Sequence, residues 1–399
     1  MALQSNVNVE LRYGAETALG TQSAAAGQVL RRISSTLALT KDAFTSNEVR
    51  PDQQIYDARH GVRRVTGNVQ GELSTKSYDD FIEASLRGTW TAGVSVQNTT
   101  PAMSSATLTA TTGATTGTFT ASAGSFLTAG LRIGDVFRVT GSTGNANKNF
   151  RIVGMTATTL TVYPAPATAT AASTWTIAVQ GKKLATGTQQ RSFTIEQYYP
   201  DIDVAETFLG CRIGEMQVSL PPTDMATISF GVQGVNMLNT SGASAPVFAS
   251  PTAAASTGIL AGVNGSLSVA GAPSALITQL DFTVSNNLNS QPVVGSTQVP
   301  EIFYGRTVVN GTLSAYFADQ TMLNYFLNET ELAIAAQLDD ANGTDFMCVR
   351  MNRVKLMGAT KTVGPDGGVI LQSPFQSLLS SGQTGYDDGS LVIQRSNVA

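Results

Sequence analysis

Apolar and polar residues alternate in the same way in two widely separated parts of the chain. Ile33, Leu37 and Leu39 alternate with Ser34, Thr36, Ala38 and Thr40, and Leu280, Phe282 and Val284 alternate with Asp281, Thr283 and Ser285. A period of two puts one set of side chains on each face of a strand, so both stretches predict strands with one buried face. Each runs into a polar connection of about twenty residues, 40–63 and 286–304.

After each connection the same string returns, Val69-Gln-Gly-Glu-Leu73-Ser74 and Val309-Asn-Gly-Thr-Leu313-Ser314. The apolar spacing then becomes helical. Tyr78, Phe81, Ile82 and Leu86 share one face, as do Met322, Leu323, Phe326 and Leu327, and each face is suited to covering a sheet. A strand pair closes each copy: Cys211 to Leu220 with Ala226 to Val232 beyond Pro221-Pro222, and Val349 to Leu356 with Gly368 to Leu371 beyond Gly364-Pro365. The chain therefore reads as two copies of one β-plus-helix unit.

The copies differ in length. Val69 and Cys211 are 142 positions apart, whereas Val309 and Val349 are 40 apart. The excess, roughly a hundred residues, lies inside the first copy. It holds short apolar runs at 132–139, 150–153, 159–162 and 175–179, separated by Gly-Ser-Thr-Gly-Asn and Pro-Ala-Pro turns. The predicted fold class is mainly β, with two tandem sandwich or barrel modules, each carrying a short helix, and a small inserted β-barrel. The predicted domains are a discontinuous first module, 1–91 and 189–262, an insert, 92–188, and a second module, 263–399.

Composition agrees with strands joined by turns, since only 13% of residues are charged and Gly, Ser, Thr and Ala abound. A net charge of −4 with no dense basic stretch argues against gripping nucleic acid, although a mildly acidic wall can surround DNA without holding it. Residues 1–200 hold 17 Lys/Arg and 12 Asp/Glu, and the remainder 7 and 16, so the halves carry opposite charge. The start of the chain lacks a basic and an apolar leader region, and no apolar run reaches eighteen residues, which predicts a soluble protein made in the cytoplasm. Cys211 and Cys348 read as reduced core residues.

Catalytic chemistry is hard to assemble from this chain. His60 is its one histidine and sits in a charged connection, without a nucleophile elbow. Asp339-Asp340-Ala-Asn342-Gly-Thr-Asp345 breaks the calcium-loop register and reads as an Asx-rich turn. The adjacent pairs Asp79-Asp80 and Asp387-Asp388 cannot face each other across a glycosidic bond. Arg31-Arg32 and Arg63-Arg64 read as solvated or inter-subunit ion pairs rather than DNA contacts. No catalytic, metal or cofactor site is expected.

The strings Leu11-Arg-Tyr-Gly-Ala-Glu-Thr-Ala-Leu-Gly-Thr, Leu30-Arg-Arg-Ile-Ser-Ser-Thr-Leu and Val65-Thr-Gly-Asn-Val-Gln-Gly-Glu-Leu with Tyr78-Asp-Asp-Phe resemble tail tube (major tail) proteins of siphophages. So does Leu131-Arg-Ile-Gly-Asp-Val-Phe-Arg-Val with the later Thr156-Ala-Thr-Thr-Leu-Thr-Val. The resemblance covers most of residues 8–235, and the repeat extends it to 263–395. It implies a virion structural protein whose modules form stacked rings around a channel for DNA, with a tape measure protein and a tail terminator as partners. One module per chain and six chains per ring is usual in that family, so two modules per chain imply homotrimeric rings. The expected place is the virion tail, after synthesis in the host bacterial cytoplasm, with no membrane role. The alternative is a phage or bacterial surface β-rich adhesin or decoration protein.

Three further expectations follow. Ordering the charged connection around Lys41, Asp42, Glu48, Arg50, Asp52, Asp57 and Arg59 gains little in a monomer, so these residues are expected to contact a stacked ring. Residues 92–188 are expected outside the tube wall and dispensable for assembly. Opposite module charges are expected to steer ring closure.

Overall fold

The computed structural model of the chain describes residues 3–396 apart from Ala275, Ala341 and Pro365. Pro365, in the expected Gly364-Pro365 turn, thus lies outside the described residues. Module 1 contains β1 (Glu10–Ala15), β2 (Ala38–Thr45), β3 (Ala58–Glu72), α1 (Asp79–Leu86), β4 (Phe193–Tyr199), β5 (Val204–Leu220), β6 (Thr227–Gly234) and β7 (Asn236–Ser241). Module 2 repeats the series in the same order: β8 (Gly265–Val269), β9 (Ile277–Ser285), β10 (Val308–Tyr316), α2 (Thr321–Leu327), β11 (Leu332–Asp339), β12 (Phe346–Leu356), β13 (Ile370–Ser377) and β14 (Val392–Arg395).

Hydrogen bonding makes the repeat exact in topology. One sheet of module 1 runs β2-β3-β6-β5, and its counterpart in module 2 runs β9-β10-β13-β12. A second sheet packs against each: β1-β4-β5-β7 in module 1 and β8-β11-β12-β14 in module 2. β5 and β12 belong to both sheets of their module. The first half of β5 lies between β4 and β7, while its second half lies beside β6, across a register shift between Ile213 and Glu215. Such an irregularity bends a strand, which lets one strand serve two layers.

The helices differ in how well they close the sandwich. α1 has Asp79 and Asp80 in its first turn, where the helix dipole favours acids, and buries Phe81, Ile82 and Leu86. In α2, Met322, Tyr325 and Phe326 are only partly buried against the core, and Leu327, expected on the apolar face, is exposed. Both modules share a single hydrophobic core.

The insert is an eight-stranded antiparallel sheet between Ser95 and Val179. All its strands feed one core around Phe119, Phe137, Phe150 and Trp175, so the sheet wraps around that core. It does not close into the expected barrel. Its edge strands, Ser95–Gln97 and Ala169–Ala172, are only three and four residues long and do not pair with each other. The stem of the insert goes elsewhere: Lys182–Ala185 pairs with β14 of module 2 and with Thr91–Ala92.

Candidate functional site

The two four-stranded sheets are joined edge to edge within one chain. β5 pairs with β9 from Glu215↔Ser285 to Leu220↔Leu280, giving a continuous order β2-β3-β6-β5-β9-β10-β13-β12. Register is kept across the whole width. Gln70, Ser229, Gln217, Thr283, Asn310, Gln376 and Lys355 form one polar row, and the neighbouring row, Val69, Phe230, Met216, Val284, Val309, Ser377 and Val354, faces the core. Because successive side chains alternate between faces, a one-residue slip would bury the first row and expose the second.

The motif glycines belong to the core face. Gly71 lies opposite Ile228, and Gly311 opposite Phe375 and Phe282. A Cβ on Gly71 would stand 1.8 Å from the Tyr78 hydroxyl, and one on Gly311 would stand 2.4 Å from both Asp281 O and the Phe375 ring. An aromatic ring lies against each glycine, so V-x-G-x-L-S is a packing motif.

The ends of this sheet are unequal to its middle. At the β2 end, Ser34 opposes Gln70 and Ser35 opposes Val69, which sets Ile33 beside Gly71 in the place that Phe282 holds beside Gly311. Phe282 is covered by Val218 of β5 and is 1% exposed, whereas Ile33 is 52% exposed. Ile33 was expected in the buried face; it is open because no strand among the described residues lies beyond it. At the other end, β11 reaches along β12 as far as Leu332↔Val354, and beyond that Lys355 and Leu356 pair, among the described residues, with β13 alone.

The connection 40–63 is more regular than expected. It is a hairpin arm in which the β2–β3 ladder continues through Lys41↔Arg63, Ala43↔His60 and Thr45↔Ala58 to a tip at 46–57. Lys41 and Asp42 lie on β2, Arg59 on β3, and Glu48, Arg50, Asp52 and Asp57 at the tip. Much of this charge is spent locally, through Arg50–Asp52 at 3.4 Å, Arg59–Asp57 at 2.8 Å and Arg64–Asp42 at 3.6 Å. Exposed beside these charges are four large apolar or aromatic side chains, Phe44, Val49, Ile55 and Tyr56. The matching connection of module 2 folds down instead, with Thr297 O accepting from Arg63 N at 2.9 Å, and Val299 and Ile302 buried against Val235.

Sequence similarity adds to this geometry. A family model described as phage tail tube protein matches residues 7–182 and 163–377. The chain belongs to the phage tail tube protein family. A comparison with curated proteins finds no match. The chain is thus a β-rich structural protein of the phage tail that self-assembles into a tube, and it is not an enzyme. Family membership selects this reading over the surface adhesin.

Each chemical candidate in this tail tube chain has a structural occupation. His60 is exposed on the arm. Asp79 pairs with Arg395, and Asp80 accepts from the Tyr13 hydroxyl at 2.9 Å. Asp340 accepts from the amides of Thr344 and Asp345, so its carboxylate holds the turn before β12, and no three metal-ligating side chains cluster among the described residues. Both cysteines are fully buried, and burial pushes their thiols up, which keeps them protonated. Arg31 and Arg32, read as solvated or inter-subunit ion pairs, donate to carbonyls of their own chain, Arg31 to Thr257 O at 2.8 Å and Arg32 to Val9 O. No described helix is long and apolar enough to cross a membrane.

The insert is not a loosely tethered decoration. Lys183 and Arg350 share Asp135 at 3.0 and 2.8 Å, and both also reach Asp387. Gln394 brackets Val136, accepting from its amide at 2.9 Å and donating to its carbonyl at 2.8 Å. Arg138 donates to Thr344 O and Arg151 to Ser266 O, so cations of the insert reach module 2 of their own chain. Residues 92–188 carry six Lys/Arg and one Asp. The positive sign of the first half therefore lies in the insert. Both tube modules are acidic, and opposite module charge cannot steer them together.

Proposed function

We propose that the chain builds rings by repeating between molecules the β5–β9 junction that it already makes between its own modules. The carrying observation is that junction, flanked by two sheet ends that match its halves. β12 corresponds to β5, with Leu356 at the place of Val218 and Lys355 at the place of Gln217. The β2 end corresponds to β9, with Ile33 at the place of Phe282 and Ser34 at the place of Thr283. Unpaired strand edges seek partners, and head-to-tail contacts between unlike surfaces close into rings.

Three chains of eight strands would close a barrel about 40 Å across at the backbone, given a spacing of roughly 4.8 Å per strand. The polar face would line the channel. Its rows are mostly Asn, Gln, Ser and Thr, and Lys355 among them pairs with Glu329 at 3.7 Å, so the face presents no dense basic surface to trap DNA during passage. The arm extends the ladder beyond one rim of this barrel, which suits contact with a stacked ring through Lys41, Asp42, Glu48, Arg50, Asp52, Asp57 and Arg59. A siphophage-type tail, a tape measure protein in the channel and a terminator at its end belong to the same proposal, as does synthesis in the bacterial host. The domains stay as 1–91 with 189–262, 92–188, and 263–399.

A cysteine pair tests the ring. Ser34→Cys with Lys355→Cys should oxidise to closed trimers of about 125 kDa, three times the 41.6 kDa chain, because opposed residues on paired strands come within disulfide reach. Closed hexamers, or no cross-link in assembled tubes, would overturn the trimeric ring.

A further inference from the structure

We infer that the arm of one chain docks into an apolar groove on module 2 of a chain in the adjacent ring, so that unlike modules meet across each ring boundary. The inference rests on the ring reading above and names the surface that the arm meets.

The groove lies between α2 and the ends of β9 and β10. It is a cavity of about 260 Å³ lined by Leu276, Ile277, Leu313, Tyr316, Met322 and Tyr325 among others. The same corner of module 1 is closed by its own chain. Tyr78 lies across Gly71 and donates to Arg31 O at 3.0 Å, while the linker sets Ile259 against Ser74 and buries Leu260 completely. Module 2 leaves Leu276 and Tyr316 exposed there.

Direction and number fit an arm. β3 and β10 hold equivalent places in the continuous sheet and run the same way, since they are four antiparallel steps apart. The arm rises from the start of β3 and the groove opens at the end of β10, so the two lie at opposite rims. Each chain has one such arm, because the module 2 connection is folded down on Arg63. One arm at one rim and one groove at the other satisfy every chain in a stack.

The chemistry fits as well. Val49, Ile55 and Tyr56 are exposed at the arm tip, and the Arg50 guanidinium stacks on the Tyr56 ring at 4.4 Å. Among the described residues lining the groove, Asp319 is the one that carries charge. The apolar side chains of the tip, Val49, Ile55 and Tyr56, enter the groove, with Arg50 brought against Asp319 at its mouth and the tip's carboxylates left outside. Removing the tip from water in this way stabilises the stack, whereas in the free chain it stays solvated.

The test is assembly of the full chain, followed by electron microscopy and sedimentation. Ile55→Asp with Tyr56→Asp changes only exposed side chains, so the chain should fold and form trimeric rings, with stacking reduced at least tenfold. Asp319→Arg should also weaken stacking, and adding Arg50→Asp should restore it in part. Tyr56→Cys with Met322→Cys should give oxidised ladders longer than three chains. Normal stacking of the arm variant, or cross-linking of Tyr56→Cys to Lys76→Cys on module 1 instead, would overturn the arm-and-groove assignment while leaving the ring intact. Absence of rings in the wild-type chain would overturn the ring reading, and this one with it.

Discussion

Val218 and Phe282 face each other across the strand pair that turns two sheets into one. Both are buried in a core that draws on both modules, so neither module is thermodynamically separate along this seam.

That relationship sets the first prediction. Phe282→Ala should lower unfolding stability by about 3–5 kcal/mol, the usual cost of removing a buried aromatic ring. Unfolding followed by fluorescence and circular dichroism should show both modules melting together. Loss of module 2 alone would mean that the junction does not couple the modules.

The corresponding residue at the open end should behave differently. Ile33 occupies the Phe282 place but is half exposed, so Ile33→Asp should change the stability of the unassembled chain by no more than about 0.5 kcal/mol. In a closed ring the same carboxylate would sit against the neighbour's Leu356 without a partner, which is costly. Sedimentation should show folded chains that no longer close into rings. Normal rings would show that this end of the sheet is not an interface.

A third prediction concerns pH. Burial alone would raise the Asp387 carboxyl, but the charges of Arg350 and Lys183 outweigh it and hold the group below the usual aspartate range. A depressed folded-state pKa means that the stabilisation is present above the unfolded value, near 3.9, and is lost as the pH falls through the folded value. Asp387→Asn should therefore be less stable than wild type at pH 7, by an amount that stays level down to about pH 5 and shrinks in stronger acid. Unfolding curves across that range measure it, and a gap that widens on acidification would reverse the sign assigned to the group. Arg350→Met at pH 7 should cost about 3–5 kcal/mol, because it leaves the fully buried Asp135 with Lys183 as its one charge partner, beside the Arg132 amide.

Local order was legible in the sequence wherever a pattern had a local cause. Alternation located Leu280, Phe282 and Val284, and helical spacing located Phe81, Ile82 and Leu86, because burial on one face leaves a period in the chain. The joining of the sheets was not legible. β5–β9 pairing depends on which edges meet, and side-chain period is silent about edges. Ile33 carried a usable signal, an apolar residue in register with Phe282, but its exposure follows from the missing neighbour. The arm misled for a related reason. Its charges stand out in the sequence, yet Arg59 with Asp57 and Arg50 with Asp52 neutralise one another, and Val49 and Ile55 are uncovered beside them. The docking of the insert was invisible because Asp135, Lys183, Arg350 and Asp387 are scattered along the chain.

The shared V-x-G-x-L-S motif gives the last prediction, since its two glycines are constrained by different atoms. Gly71→Ala would press on the Tyr78 hydroxyl, the tip of a side chain, while Gly311→Ala would press on Asp281 O, which is backbone, as well as on the Phe375 ring. Each substitution alone should cost about 1–3 kcal/mol, as overpacking of a filled core does. The pairs should then separate. In a double-mutant cycle, Tyr78→Phe should relieve part of the Gly71→Ala cost, because the offending oxygen is gone, giving a coupling of about 1 kcal/mol. Phe375→Leu should relieve little of the Gly311→Ala cost, because a strand carbonyl cannot move without breaking the β9–β10 ladder. Equal rescue in both modules would mean that ring contact alone dictates glycine at the motif; rescue in module 1 only would place the constraint of module 2 in the backbone of the sheet.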